Sequence, residues 1–128
     1  MDEPKKYSVL IVDDENLNIK VLSHILGSDY TVYAEKNGQA VIMTAEKLLP
    51  DVILLDIIMP ETDGYDIIAA LKNSEKTKDI PVIFMSGLSD AGAEKKGLDL
   101  GAADYISKPF SPAVVKHKVG NQIKAING

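Results

Sequence analysis

Asp51-Val52-Ile53-Leu54-Leu55-Asp56 is the stretch on which the fold turns. Four apolar residues follow one another without alternation, and a carboxylate closes the run. A strand with one wet face alternates apolar and polar residues, whereas an unbroken run of this length suits a strand covered on both faces. Similar short segments, rich in β-branched residues, recur on either side of it at 9–12, 31–34 and 82–85, and at Tyr105 with Ile106. The intervening segments have helical spacing. Ile19, Leu22, Ile25 and Leu26 recur three and four residues apart and Gly27 then supplies a stop, while Val115, Val119, Ile123 and Ile126 mark one face of a last helix. Ser111 with Pro112 reads as an N-cap followed by proline at the first helical position. Helices are also expected over 38–49 and 65–73. Five such β-then-α units require parallel strands joined by right-handed crossovers, giving a doubly wound α/β sheet with helices on both faces.

The segment 91–100 is the weakest helix in this pattern. It contains Gly92 and Gly97, and its only large apolar residues are Leu98 and Leu100. Each interior glycine costs ~1 kcal/mol relative to alanine, so this element is expected to be the least firmly held, as a switching segment must be.

Composition narrows the function. At 128 residues, 45% apolar and 26% charged, the chain is expected to form one globular domain over 1–128, with a polar N-terminal segment at 1–6. Cysteine is absent, which excludes disulfides, a thiol nucleophile and Cys-ligated zinc. His24 and His117 are far apart and read as helix-surface residues rather than metal ligands. A net charge of −5 disfavours direct nucleic-acid binding. All the basic residues are lysines, so a bound phosphate must be met by lysine, metal or backbone N–H groups. No leading apolar region and no run approaching the ~20 residues of a membrane span is present, so a cytoplasmic protein without a membrane partner is expected.

Chemistry collects at the ends of the apolar runs. Asp13 and Asp14 follow the first, Asp56 the third, Ser86 the fourth, and Lys108 comes just after the fifth. In an open parallel sheet the carboxyl ends share one edge, and ligands bind where the strand order reverses. Three carboxylates, a hydroxyl and an ammonium therefore converge. Crowded carboxylates require a compensating cation, and Mg²⁺ suits oxygen ligands that share their shell with a phosphoryl group. A carboxylate beside such an ion is a nucleophile toward phosphorus; Lys108 and Ser86 then offset charge on the phosphoryl oxygens. Taken singly, each of these residues reads more simply as a turn former, a helix cap or a solvated loop residue. One group per strand end in four separate units favours a site.

The motifs are Val9-Leu10-Ile11-Val12-Asp13-Asp14-Glu15, Leu54-Leu55-Asp56-Ile57-Ile58-Met59-Pro60 with Asp63-Gly64, Pro81-Val82-Ile83-Phe84-Met85-Ser86, and Gly101-Ala102-Ala103-Asp104-Tyr105-Ile106-Ser107-Lys108-Pro109-Phe110. In this order and spacing the chain resembles, over nearly its whole length, the receiver domains of two-component response regulators. The resemblance implies a flavodoxin-like strand order 2-1-3-4-5 and phosphorylation of Asp56 by a histidine kinase or phosphotransfer protein. It implies Mg²⁺ (or Mn²⁺) held by Asp13, Asp14, Asp56 and the backbone carbonyl of Ile58, with Asp14 favoured over Asp13 as direct ligand. Ser86, the Gly87 backbone and Lys108 would contact the phosphoryl group, Ser86 and Tyr105 would form the switch, and the Lys108-Pro109 bond would be cis. The face 91–127 would carry the signal. Such a domain is no enzyme beyond its own phosphotransfer and dephosphorylation. Implied partners are a phosphorylation-dependent second copy and an output domain of the cyclic-di-GMP enzyme type, since Phe110-Ser111-Pro112-Ala113-Val114-Val115 resembles receivers joined to such enzymes. Ile58 and Leu88, at the family's two positions beside the phosphoryl group, are apolar, which implies slow hydrolysis.

Two other readings fit less well. An Asp-nucleophile phosphatase of the haloacid dehalogenase type would need a second Asp at position 58, where Ile58 stands. A flavodoxin-like FMN binder would need a phosphate loop where Asp13-Asp14-Glu15 would repel the ligand.

Overall fold

In the computed structural model, which describes residues 6–87 and 92–127, the five apolar runs form one parallel sheet. Its strands are β1 (Ser8–Val12), β2 (Thr31–Glu35), β3 (Val52–Asp56), β4 (Val82–Ser86) and β5 (Asp104–Ser107). Their order, β2-β1-β3-β4-β5, is the flavodoxin-like 2-1-3-4-5 arrangement. The helices are α1 (Asn16–Leu26), α2 (Val41–Leu48), α3 (Gly64–Asn73), α4 (Ala93–Asp99) and α5 (Pro112–Asn127), and a 3₁₀ turn at Gly38–Ala40 leads into α2.

The run that decides the fold serves both layers. Val52 and Leu54 pack with Leu22, Leu26, Val115 and Val119 on the α1/α5 side, while Ile53 and Leu55 pack with Val41, Ala45, Ile68 and Leu71 on the α2/α3 side. Both sides are dry, which is why no alternation shows in the sequence. Each fully buried aliphatic side chain of this kind stabilises the fold by roughly 2 kcal/mol relative to exposure. β2 pairs only with β1, and as an edge strand it leaves Tyr33 and Ala34 exposed.

Local signals act much as expected, with instructive departures. Ser111 caps α5: its Oγ accepts from the Val114 N–H at 3.4 Å and its carbonyl from the Val115 N–H at 3.0 Å. Ile126 leaves the buried stripe and is 47% exposed, because α5 runs past the edge of the sheet layer that covers Val115, Val119 and Ile123. Gly27 does end α1, yet at φ −67°, so its left-handed freedom is not used there. His24 and His117 lie exposed on α1 and α5.

The expected helix at 91–100 is α4, only seven residues long; Ala91 lies outside the described residues. Gly92 caps its start at φ 81°. Gly97 is present for packing. A Cβ there would lie 2.2 Å from the Phe84 ring, so only glycine lets α4 approach β4 this closely. A short antiparallel ribbon, Ile58–Met59 with Thr62–Asp63, projects after β3 and was not legible beforehand, since two-residue strands carry no period.

Candidate functional site

Strand register brings the site together. Val12 pairs with Leu55, so Asp13 and Asp56 leave adjacent strands at the same level. Ser86 pairs with Ser107, and Lys108 follows directly. The chain leaves β1 for β2 on one side and returns to β3 on the other, so the order reverses where these acids stand.

Asp56 is only 1% exposed. Its Oδ1 accepts from Lys108 Nζ at 2.9 Å and from the Ile58 N–H at 3.1 Å. Its Oδ2 is buried with no hydrogen-bond partner. Burial pushes the Asp56 carboxyl above the usual range; Lys108 and the Ile58 N–H oppose this, and the Asp13 charge adds to it. Asp13 is fully buried, and its Oδ1 accepts from the Glu15 N–H at 3.0 Å while its Oδ2 is, like that of Asp56, without a partner. A buried carboxylate oxygen without a donor costs free energy, and two of them at the ends of adjacent strands fit residues that would hold a cation.

Asp14 is half-buried and lines a cavity of about 320 Å³ with Lys36, Gly38, Met59 and Thr62. The cavity opens Asp14 to solvent, as an ion that keeps part of its hydration shell requires. Asp13, Asp14 and Glu15 present carboxylate oxygens all within 4.8 Å of one another. Among the described residues this acid set contains Glu15, which was not anticipated as a metal-site acid, while Asp56 Oδ1 is turned onto Lys108. All these donors are hard oxygens, and the set fits a divalent ion of the Mg²⁺ kind.

Ser86, 7% exposed, ends β4, and its carbonyl accepts from the Lys108 N–H at 2.8 Å. Gly87 follows, half-buried. The Lys108-Pro109 peptide is cis. The ribbon sets the third wall: the Gly64 N–H donates to the Ile57 carbonyl at 3.2 Å, and a Cβ on Gly64 would lie 2.6 Å from that oxygen. Ile58 is 61% exposed on the ribbon, and Leu88 lies outside the described residues. Tyr105 is half-buried on β5, its ring stacked on Phe84 with centroids 6.0 Å apart. Phe84 and Lys118, which both meet Tyr105, were not anticipated; nothing in the linear sequence ties either to position 105.

A doubly wound sheet with buried acids at its reversal point and a lysine opposite defines a class. The chain belongs to the response regulator receiver domain family, whose model matches residues 9–120. It is 36% identical over 124 residues to a "probable cyclic di-GMP phosphodiesterase" of Vibrio cholerae serotype O1, covering 97% of this chain and 28% of that protein. A response regulator structure from Chloroflexus aurantiacus superposes with a TM-score of 0.88 at 30% identity, covering 94% of this chain and 99% of that one. The receiver domain of a sensor histidine kinase from Pseudomonas aeruginosa PAO1, solved with a magnesium ion coordinated in its active-site cleft, has a TM-score of 0.85 at 27% identity, with 94% and 99% covered. The chain spans half or less of the curated relatives it matches. As a receiver domain it is a phosphorylation-dependent signalling domain of two-component systems. Among the described residues, no helix is long and apolar enough to cross a membrane.

Proposed function

We propose that Asp56 is the phosphoacceptor of this domain, taking a phosphoryl group from the phosphohistidine of a histidine kinase or phosphotransfer protein. The observation that carries this reading is the unequal state of its two oxygens. One is held by Lys108 and the Ile58 N–H, and the other is buried without a partner. Asp13, Asp14, Asp56 and the Ile58 carbonyl would hold Mg²⁺, or Mn²⁺ in its place. The ion supplies charge neutralisation between the acids and the incoming phosphoryl oxygens. An Asp56 oxygen attacks phosphorus, the phosphorus–nitrogen bond of the donor breaks, and the imidazole keeps the electron pair. Lys108 moves its ammonium from the carboxylate toward the phosphoryl oxygens, and Ser86 and the Gly87 N–H donate to them. The signal then leaves by the surface of 92–127, and an output domain such as a cyclic-di-GMP enzyme, or a second copy of the chain, receives it.

Mass measurement after incubation with acetyl phosphate and Mg²⁺ tests the assignment. A gain of one phosphoryl group is expected in the wild type and none in Asp56→Asn. Undiminished labelling of the variant would refute it.

A further inference from the structure

Tyr105 stands where three elements meet. Its ring stacks on Phe84 of β4 with the planes 29° apart. From α5, the Lys118 ammonium lies 4.4 Å from the centre of the ring. The same ammonium donates to the Tyr105 carbonyl oxygen and to Asp104 Oδ1, the latter at 3.2 Å. Asp104 Oδ1 also accepts from the Tyr105 N–H at 2.8 Å. One cation thus holds the ring and the carbonyl of a single residue and, through Asp104, its amide as well.

The shielding of this arrangement gives it weight. The Lys118 and Asp104 side chains retain 23% and 29% of their exposure, so the contacts are screened less than those of a free surface pair. By contrast, the Lys95–Asp99 pair on α4 has side chains 83% and 62% exposed and is screened by solvent. The Tyr105 hydroxyl also donates to the Glu94 carboxylate of α4, which raises the phenol's pKa.

We propose that Lys118 is a positioning residue whose ammonium latches Tyr105 in its resting conformation and so sets the population of the switch before phosphorylation. The inference rests on the phosphoacceptor reading for its role in signalling. A two-state element responds only to contacts that differ between its states. Turning the ring breaks the ring–ammonium contact, whereas the backbone contacts of Lys118 remain available in both conformations. The latch therefore opposes the phosphorylated state, and loosening it shifts the equilibrium without touching Asp56 or the metal acids. Val115 and Val119, both fully buried, hold α5 in place independently of position 118.

Lys118→Met keeps the apolar stem and removes the charge, and Lys118→Arg restores a cation able to stack on the ring. The full chain, labelled on its tyrosine rings, is observed by NMR with and without Mg²⁺ and beryllofluoride, and Tyr105→Phe identifies the signal. Without beryllofluoride, the Tyr105 signal of Lys118→Met is expected to move toward its beryllofluoride-bound position. Beryllofluoride should bind that variant roughly fivefold more tightly than the wild type. Lys118→Arg should return both quantities toward wild-type values, which a merely packing role would not produce. A Tyr105 signal unchanged in unliganded Lys118→Met overturns the latch. Failure of beryllofluoride to bind the wild type would instead remove the phosphoacceptor reading, and the unliganded comparison would still decide the latch.

Discussion

Asp56 is pulled in opposite directions. Burial disfavours its charge and Lys108 favours it, and burial wins, so the carboxyl titrates above its ordinary value. An acid whose folded pKa exceeds its unfolded one binds its proton more tightly in the folded chain. Its contribution to stability is then fully present below the unfolded pKa and is lost as pH rises through the folded value. Metal-free protein should accordingly lose stability across that carboxylate window as pH increases, and Asp56→Asn should flatten the loss and raise the stability of the neutral-pH protein. Urea titrations at several pH values in EDTA would measure both effects, and a variant no more stable than wild type would contradict the burial argument. Ile58 bears on what happens after phosphorylation. Its N–H is tied to Asp56 Oδ1, which fixes the side chain's origin beside the site, yet the side chain itself cannot orient a water. Ile58→Asn should shorten the phosphoryl lifetime about tenfold, the usual scale for gaining a positioned nucleophile. Equal rates of label loss in the two proteins would remove Ile58 from the mechanism.

Elements differ in how plainly they were written. The three inner strands were legible because each is a contiguous apolar run covered on both faces, while the edge strands β2 and β5 showed as shorter apolar segments. Ser111-Pro112 announced α5 because capping is a local event, carried by neighbours in the chain. α4 was legible only as weak, since the reason for Gly97 is a ring on another strand, and sequence spacing does not carry that contact. The distinction can be tested. Gly97→Ala improves intrinsic helix propensity by ~1 kcal/mol. The added Cβ, however, would lie 2.2 Å from Phe84, a ring with no exposed surface that is already stacked on Tyr105. Overpacking of that kind costs ~1–3 kcal/mol, so the substitution should destabilise the protein or lift α4 from the sheet. Amide exchange within 93–99 should accelerate more than elsewhere; protection increased by the alanine would mean that propensity, not packing, limits α4. The gathering of Asp13, Asp14, Asp56, Ser86 and Lys108 at one sheet edge was legible for a related reason, because a parallel sheet delivers every strand end to one edge. Lys118 over Tyr105 depends on tertiary approach and left no linear trace, whereas Glu15 stood in plain view beside Asp13 and Asp14 and the ribbon is a local pairing too short to show a period.

At the scale of the molecule, the same edge that gathers the chemistry concentrates like charge. The consecutive acids Asp13, Asp14 and Glu15 hold carboxylate oxygens within 4.8 Å of one another, and folding buries Asp56 close enough for Asp13 to shift its titration. The unfolded chain does not hold Asp56 beside those acids, so a divalent cation that uses both should bind the folded state preferentially and stabilise it by RT ln(1 + [L]/Kd). At a hundredfold excess over Kd this amounts to about 2.7 kcal/mol. For a chain of this size each kcal/mol raises Tm by roughly 4 °C, so Mg²⁺ should lift Tm by about 10 °C, reversibly with EDTA. The increment belongs to the acids rather than to ionic strength, because screening by a monovalent salt acts on every surface pair and most of those contribute little. Asp14→Ala separates the two. Asp14 is half-buried at the cavity and, among the described residues, makes no hydrogen bond comparable to that of Asp13 with the Glu15 N–H, so its removal should leave metal-free stability nearly unchanged or slightly raised. The Mg²⁺-dependent rise should then shrink to within a degree or two of that produced by sodium chloride at matched ionic strength. A full Mg²⁺ increment in Asp14→Ala would mean that the cation is held elsewhere, and with it the assignment of this sheet edge as the metal site would fail.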